Sequence, residues 1–386
     1  MYLRLLDFLR CPSCQATLES IALEPQKESD SEITTGLLRC VECSQWYPII
    51  RGIPRMLPDA LQEHWPILQT HLPERVPDVL QALTKKIDAA GTITYDKRTR
   101  QNFSYEWDNH QLGGATWGMQ LSDRLSWFFL DPVRISEADL PGKVLLDAGC
   151  GNGSQSVAYT AYGLEVIAID LSSGLEHGYA YRDLHAGGDP TRVHFVQANL
   201  QHPPLAPESV DIIHSAGVLH HTPNTLQTFQ ALLPTLRPGG TFYVWLYKHE
   251  KWVTPLVKSI RAITTKVSPT NFARVARVMS GPFIGFCKAV NALGIRSYPK
   301  LDRREATLAL MDIFGAPYAH DHSFDEVAGW YKAEGFSEFW PCNESRRGFG
   351  ICGRLSAGAK RTRQAMKGTV LEGQVHVSPG IQERTA

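Results

Sequence analysis

A chain of 386 residues of which 43% are hydrophobic is long enough for two or three domains and a substantial core. Basic and acidic side chains balance at 39 each, which excludes bulk electrostatic attraction as a basis for nucleic-acid binding and leaves only local basic faces. No run reaches the roughly 18 uncharged apolar residues of a membrane span, and MYLRLLDFLRCPSC has too short an apolar stretch for a secretory signal, so a soluble, cytoplasmic protein is expected.

Cys11 and Cys14 form one C-x-x-C pair, Cys40 and Cys43 a second. Two such knuckles can converge tetrahedrally on one ion, which reads as a structural zinc ribbon over residues 1–60. The spacing alone leaves two redox dithiols or coincidence as alternatives. Cys150, Cys287, Cys342 and Cys352 read as scattered, mostly buried thiols. Residues 61–95 follow; the stretch 58–87 is broken by prolines at 58, 66, 73 and 77, and short helices linking two domains are expected there. The next stretch carries Phe103, Tyr105, Trp107 and Trp117 and reads as an entry helix whose rings either pack on the core or lie over a bound ligand.

The run VLLDAGCGNGS (144–154) leads from an apolar strand through Asp147 to glycines at 149, 151 and 153, and VIAIDLS (166–172) is a second strand ending in Asp170. Strand, glycine-rich turn, helix and acid-tipped strand together describe a nucleoside site: the glycines admit close backbone approach, and the later carboxylate can accept both ribose hydroxyls. A pyrophosphate binder shows G-x-G-x-x-G against a helix N-terminus. Here D-x-G-x-G-x-G places a further acid in front, which suits a ligand bearing an amino acid and a positive charge.

Further strands are expected at 193–197, 210–214 and 241–247, with helices between, giving an α/β, doubly wound, mainly parallel sheet. Leu236 to Gly240 reads as a helix-ending turn before the fifth strand. Residues 248–322 have helical periodicity and carry Lys258, Arg261, Lys266, Arg274, Arg277 and Lys288. Their position over the C-terminal strand ends, where ligands bind in such sheets, marks a helical substrate cap. The basic face is expected to be solvated, with an anionic membrane or RNA as the alternatives. Residues 356–386 contain no aromatic side chain and are expected to be a disordered tail.

The glycine run and the strand ending in Asp170 resemble motifs I and II of class I S-adenosylmethionine (SAM) dependent methyltransferases. The likeness continues in order through VHFVQANL (193–200), SVDIIHSAGVLHHTPN (209–224) and LLPTLRPGGTFYVWLY (232–247). It covers roughly residues 95–355 and implies a Rossmann-like, seven-stranded domain over 96–355 whose last strands are FSEFWPCNE (336–344) and GFGICGRL (348–355), one of them antiparallel. It also implies a SAM site: Gly149, Cys150, Gly151 and Gly153 around the methionine part, Asp147 under its amino-acid end, Asp170 with Leu171 at the ribose, and Asn199 with Leu200 at the adenine. Asn199 stands where many relatives have Asp, and its amide oxygen can still accept from the adenine amino group. The aromatic entry segment would then close over the cofactor and could favour its sulfonium by cation–π attraction. Residues 1–60 resemble the zinc-ribbon family that includes the activator subunit of tRNA, rRNA and protein methyltransferases; similar ribbons are also fused to bacterial methyltransferases.

Methyl transfer is an in-line displacement that needs alignment and desolvation, and a base only where the acceptor must lose a proton. His220 and His221 in VLHHTP and His320 and His322 in APYAHDHS are the candidates, and His320 with Arg346 and Arg347 could bind an anionic acceptor. The D/N-P-P-Y/F motif of amine methylation on adenine, cytosine and glutamine is missing, as is the cysteine pair of RNA cytosine C5 enzymes. Methyl transfer to a small-molecule oxygen, carbon or nitrogen is therefore the first reading. The rivals are an rRNA or tRNA methyltransferase whose ribbon contacts RNA, and a non-catalytic SAM-binding activator of another enzyme.

Overall fold

The computed structural model describes residues 1–24, 32–71, 97–110, 112–114, 116, 118–185, 187–249, 253–294, 300–345 and 347–358. The linker beyond His71, Trp117, Arg346 and the tail beyond Gly358 lie outside the described residues.

The first sheet joins Leu18–Ala22 (β1), Gly36–Cys40 (β2), Trp46–Ile50 (β3) and Ile53–Pro54 (β4), each antiparallel to the next. One C-x-x-C pair precedes β1 and the other closes β2. Each knuckle is followed by a residue in the left-handed region, Gln15 at φ 63° and Ser44 at φ 54°, which turns the chain back sharply enough to bring its two thiols together. Ala60–His71 is one helix that runs through Pro66, and the rest of the expected linker lies outside the described residues. A proline removes a single N–H from the helical ladder, and Leu68 offsets the loss by burying against Leu37, Trp46 and Ile50.

The second sheet holds Val144–Ala148 (β5), Glu165–Asp170 (β6), Val193–Gln197 (β7), Val210–Ala216 (β8), Leu236–Tyr247 (β9), Phe336–Cys342 (β10) and Gly348–Leu355 (β11), in the order β10-β11-β9-β8-β5-β6-β7. Only β11 runs antiparallel to its neighbours. β5 and β6 are buried along their whole length, with Leu146, Ala148, Ile167 and Ile169 in one core and Leu145, Val166 and Ala168 in the other; burial on both faces is why they read as unbroken apolar runs. The strand order reverses at β5, so the glycine-rich loop opens at the switch point where such sheets bind ligands. β9 starts earlier than expected. Its register against β8 slips between Leu236 and Thr241, and residues 237–240, with Pro238 unable to donate and Gly239 at φ 79°, form a bulge rather than a separate turn.

The ribbon sits against edge strand β7. Leu5, Leu9 and Tyr47 share one core with Val196, Ala198 and Leu205, and Met56 N–H donates to the Gln197 carbonyl at 2.7 Å. The buried Arg55 guanidinium donates to Gln197 Oε1 at 3.1 Å and to Glu176 Oε1 at 2.6 Å. An otherwise open sheet edge is thereby covered.

Among the described residues the insertion holds three helices, Val253–Thr264, Pro269–Ala292 and Arg303–Gly315. Ser268 caps the second through Asn271 N–H, and an Asp302–Glu305 capping box starts the third. Phe272, Ala273 and Ala276 pack on Leu310 and Met311, while Arg261 donates to the carbonyls of Ile313 and Ala316. Among the described residues, no helix is long and apolar enough to cross a membrane.

Candidate functional site

Gly149, Gly151 and Gly153 follow β5 at φ 91°, 59° and 72°, conformations that only glycine adopts without strain. Each is also crowded: a Cβ on Gly151 would stand 2.5 Å from the Trp107 ring, and one on Gly153 2.5 Å from Phe195. Asp170, at the tip of β6, accepts from Gly151 N–H at 2.8 Å through one oxygen and from Ser172 N–H and Oγ at 2.8 and 2.6 Å through the other. Burial raises its carboxyl pKa, and these bonds oppose the shift. The oxygen that takes Gly151 N–H has accepting capacity left, whereas the other is filled by Ser172. At the tip of β7, Asn199 Oδ1 accepts from Gln201 N–H at 2.9 Å, with Leu200 buried beside it. Burial holds the Cys150 thiol well above its ordinary value, so it stays protonated.

Below the loop, Asp147 accepts from Ser156 Oγ at 2.6 Å and lies 3.1 Å from His214 Nδ1. The other His214 nitrogen lies 3.1 Å from the Phe128 carbonyl. This buried support of the loop acid was not among the sequence candidates, because His214 sits inside the apolar β8 run and resembles an ordinary core residue.

The helix Lys97–Asp108 joins this loop to the other half of the pocket. Trp107 lies on Gly151 and Gly174, and Ser104 Oγ accepts from Ser173 N–H at 3.1 Å. Its buried side is polar: Thr99, Asn102 and Glu106 follow one another at helical spacing and are all inside. Glu106 Oε2 and Asn102 Nδ2 have no hydrogen-bond partner among the described residues. Burial, helped by the nearby Asp312 charge, pushes the Glu106 carboxyl well above the usual range. Sequence reading chose the aromatic residues of this segment and missed Glu106, although the inward polar stripe at 99, 102 and 106 was a readable signal.

Asp312, from the third insertion helix, stands opposite. It accepts from Tyr247 Oη and lies 3.2 Å from His221 Nε2. Burial raises the Asp312 carboxyl, but His221, Arg347 and Tyr247 together outweigh it and leave the group below its ordinary range. His221 Nδ1 lies 2.8 Å from the Tyr318 carbonyl, so both of its nitrogens are engaged. So are those of His322, with Glu326 at 3.0 Å and Thr225 Oγ1 at 2.9 Å. His320 Nε2 lies 3.0 Å from the Thr222 carbonyl. His220 is fully buried and stacked on Tyr247; its Nδ1 accepts from Tyr247 N–H at 3.4 Å, and its Nε2 has no partner among the described residues. Burial lowers its pKa well below the ordinary value, so the ring is neutral. The structure thus brings His220 and His221 together with Glu106 and Asp312, while His322 serves the N-terminus of the helix Phe324–Ala333.

In the ribbon, the sulfurs of Cys11, Cys14, Cys40 and Cys43 all lie within 4.8 Å of one another. Cys11 and Cys43 are 3.6 Å apart, Cys14 and Cys40 3.4 Å. Four thiolates around a tetrahedral zinc at about 2.3 Å would stand roughly 3.8 Å apart, so the donor set fits that ion.

Residues 146–244 match the family described as methyltransferase domain, and residues 3–52 match the Trm112p-like protein family. A tRNA U34 carboxymethyltransferase from Desulfotalea psychrophila is 30% identical over 103 residues, 27% of this chain and 32% of that protein. A ubiquinone biosynthesis O-methyltransferase from Xanthomonas campestris pv. campestris is 33% identical over 120 residues, 30% of this chain and 49% of that protein. The chain thus spans about a third to a half of the length of these curated relatives. Among solved structures, a SAM dependent methyltransferase from Aquifex aeolicus is similar with 15% identity and a TM-score of 0.35, covering 60% of this chain and 92% of that one. The chain carries a class I SAM-dependent methyltransferase domain behind an N-terminal Trm112p-like ribbon.

Proposed function

We propose that the protein transfers the methyl group of SAM to a small-molecule acceptor bound between the helix Lys97–Asp108 and the third insertion helix. One observation carries the reading: a single helix lays Trp107 on the glycine loop, buries Glu106 and packs against the third insertion helix, which carries Asp312. When bound, SAM supplies an activated methyl on a sulfonium. Asp170 would hold its ribose, Asn199 its adenine, and the loop from Asp147 to Gly153 its methionine end.

The chain's own residues then align the acceptor. Glu106 Oε2 and Asn102 Nδ2 are buried without partners, a costly state that a polar acceptor relieves. Burial keeps the resting Glu106 carboxyl protonated, so where the acceptor must lose a proton Glu106 takes it through its ionised fraction, which grows as pH rises. His220 Nε2–H is a neutral donor that orients the acceptor. Asp312, Tyr247 and His221 fix the wall on which the pocket rests. In the ribbon, one zinc held by Cys11, Cys14, Cys40 and Cys43 would have a structural role.

The test is transfer of labelled methyl from SAM to a metabolite extract and, separately, to total RNA. Label in small molecules that disappears in Glu106→Gln supports the reading. Label only in RNA, where the ribbon would contact the nucleic acid, or transfer to neither, overturns it.

A further inference from the structure

The first two insertion helices present an unusual outer surface. From Lys251 to Leu301 the sequence contains no Asp or Glu, and Lys258, Lys266, Arg274, Arg277 and Lys288 are all exposed. On the helix Val253–Thr264, Leu256, Ile260 and Ile263 are exposed, at 63%, 38% and 71%, and their spacing puts them on one stripe. On the helix Pro269–Ala292, Val275, Val278 and Met279 form a second stripe at 53%, 72% and 50% exposure. Each stripe lies away from the side that packs inward. The second helix buries Phe272, Ala273 and Ala276 on the third insertion helix, and the first is tied to that same helix by Arg261 and Thr264. Both outer faces therefore point away from the body of the protein. Along the second helix, at 100° per residue, Arg274, Arg277 and Lys288 form a basic row between the buried side and the apolar stripe.

We infer that this helical pair docks on an anionic lipid surface, lying in the plane of the headgroups. Exposed aliphatic side chains gain by leaving water, whereas a nucleic acid offers them no apolar partner and is gripped by basic and aromatic groups instead. Two helices whose own charged side chains are all basic are complementary to anionic headgroups, and long lysine and arginine stems let the charge stay at headgroup level while the stripe enters. Exposed aliphatic side chains gathered into stripes of this kind mark an interaction surface. This inference does not depend on which acceptor is methylated.

The experiment is co-sedimentation of the full chain with phosphatidylcholine vesicles, with and without phosphatidylglycerol, over a range of salt. Binding to the anionic vesicles should exceed that to the neutral ones at least about tenfold and weaken as salt rises. The double variant Ile263→Glu, Val278→Glu should lose it while keeping its unfolding midpoint, since both sites are exposed. Equal or absent binding to the two vesicles overturns the inference. So does a labelled single-stranded RNA that binds while vesicles do not, or a dimer in solution that the same double variant dissolves.

Discussion

Glu106 and Asp312 are two buried carboxylates brought near each other from separate helices, and they are in opposite states: Asp312 has a partner at each oxygen, whereas Glu106 Oε2 has none among the described residues. The contrast sets their ionisation. His221, Arg347 and Tyr247 together hold Asp312 charged, while burial together with that nearby charge keeps Glu106 protonated.

Glu106→Gln should separate stability from activity. A folded-state pKa above the unfolded glutamate value of about 4.3 means that stability is fully present below that pH and declines as pH rises through the folded value. The variant carries no such group, so its unfolding midpoint should exceed the wild type's at neutral pH and approach it near pH 4. Methyl transfer should meanwhile fall by about 100-fold if Glu106 takes a proton from the acceptor. Midpoints that stay parallel across the pH range would contradict the buried, protonated state.

The centre of the sheet was readable because its strands are buried on both faces and its turns are marked by glycines: β5, the loop after it and Asp170 stand where 144–154 and 166–172 placed them. The four ribbon cysteines converge as their spacing required. The acceptor side was harder to read. Asp312 and Glu106 meet only through the packing of distant helices, and nothing in either local sequence announces the other. The histidines were visible, but not their engagement: His221 and His322 have both ring nitrogens occupied, and only the tertiary fold leaves His220 Nε2 bare.

Asp170→Ala should weaken SAM binding by roughly 1.5 to 3 kcal/mol, the range for hydrogen bonds to a charged group. Part of the loss comes from Gly151 N–H, which Asp170 holds in place at 2.8 Å. Gly151→Ala should be at least as damaging, because it combines a positive φ with a clash against Trp107. Titration calorimetry that finds wild-type affinity in both variants would remove SAM from this loop.

The ribbon should contribute to the stability of the whole chain, because Leu5, Leu9 and Tyr47 belong to the same core as β7. Metal analysis should give about one zinc per chain, lost in the double variant Cys40→Ser, Cys43→Ser. That variant should unfold at a lower temperature, and the methyltransferase domain should be destabilised with the ribbon. Zinc retained in full, or a methyltransferase transition left at its original temperature, would contradict this coupling.

Asp312→Asn tests the wall of the acceptor pocket. A depressed folded-state pKa gives stability that is present above the unfolded aspartate value of about 3.9 and lost as pH falls through the folded value. Wild type should therefore be the more stable at pH 7, and the difference should shrink as the medium is acidified. Losing the charge also loosens His221 and Tyr247 and removes the repulsion that helps keep Glu106 protonated. The pH–rate profile of transfer should consequently shift its basic-group limb toward lower pH, with SAM affinity unchanged because the SAM-side residues lie on other loops. An unshifted profile would detach Asp312 from the titration of Glu106, and a loss of SAM affinity would move its role to the cofactor half of the pocket.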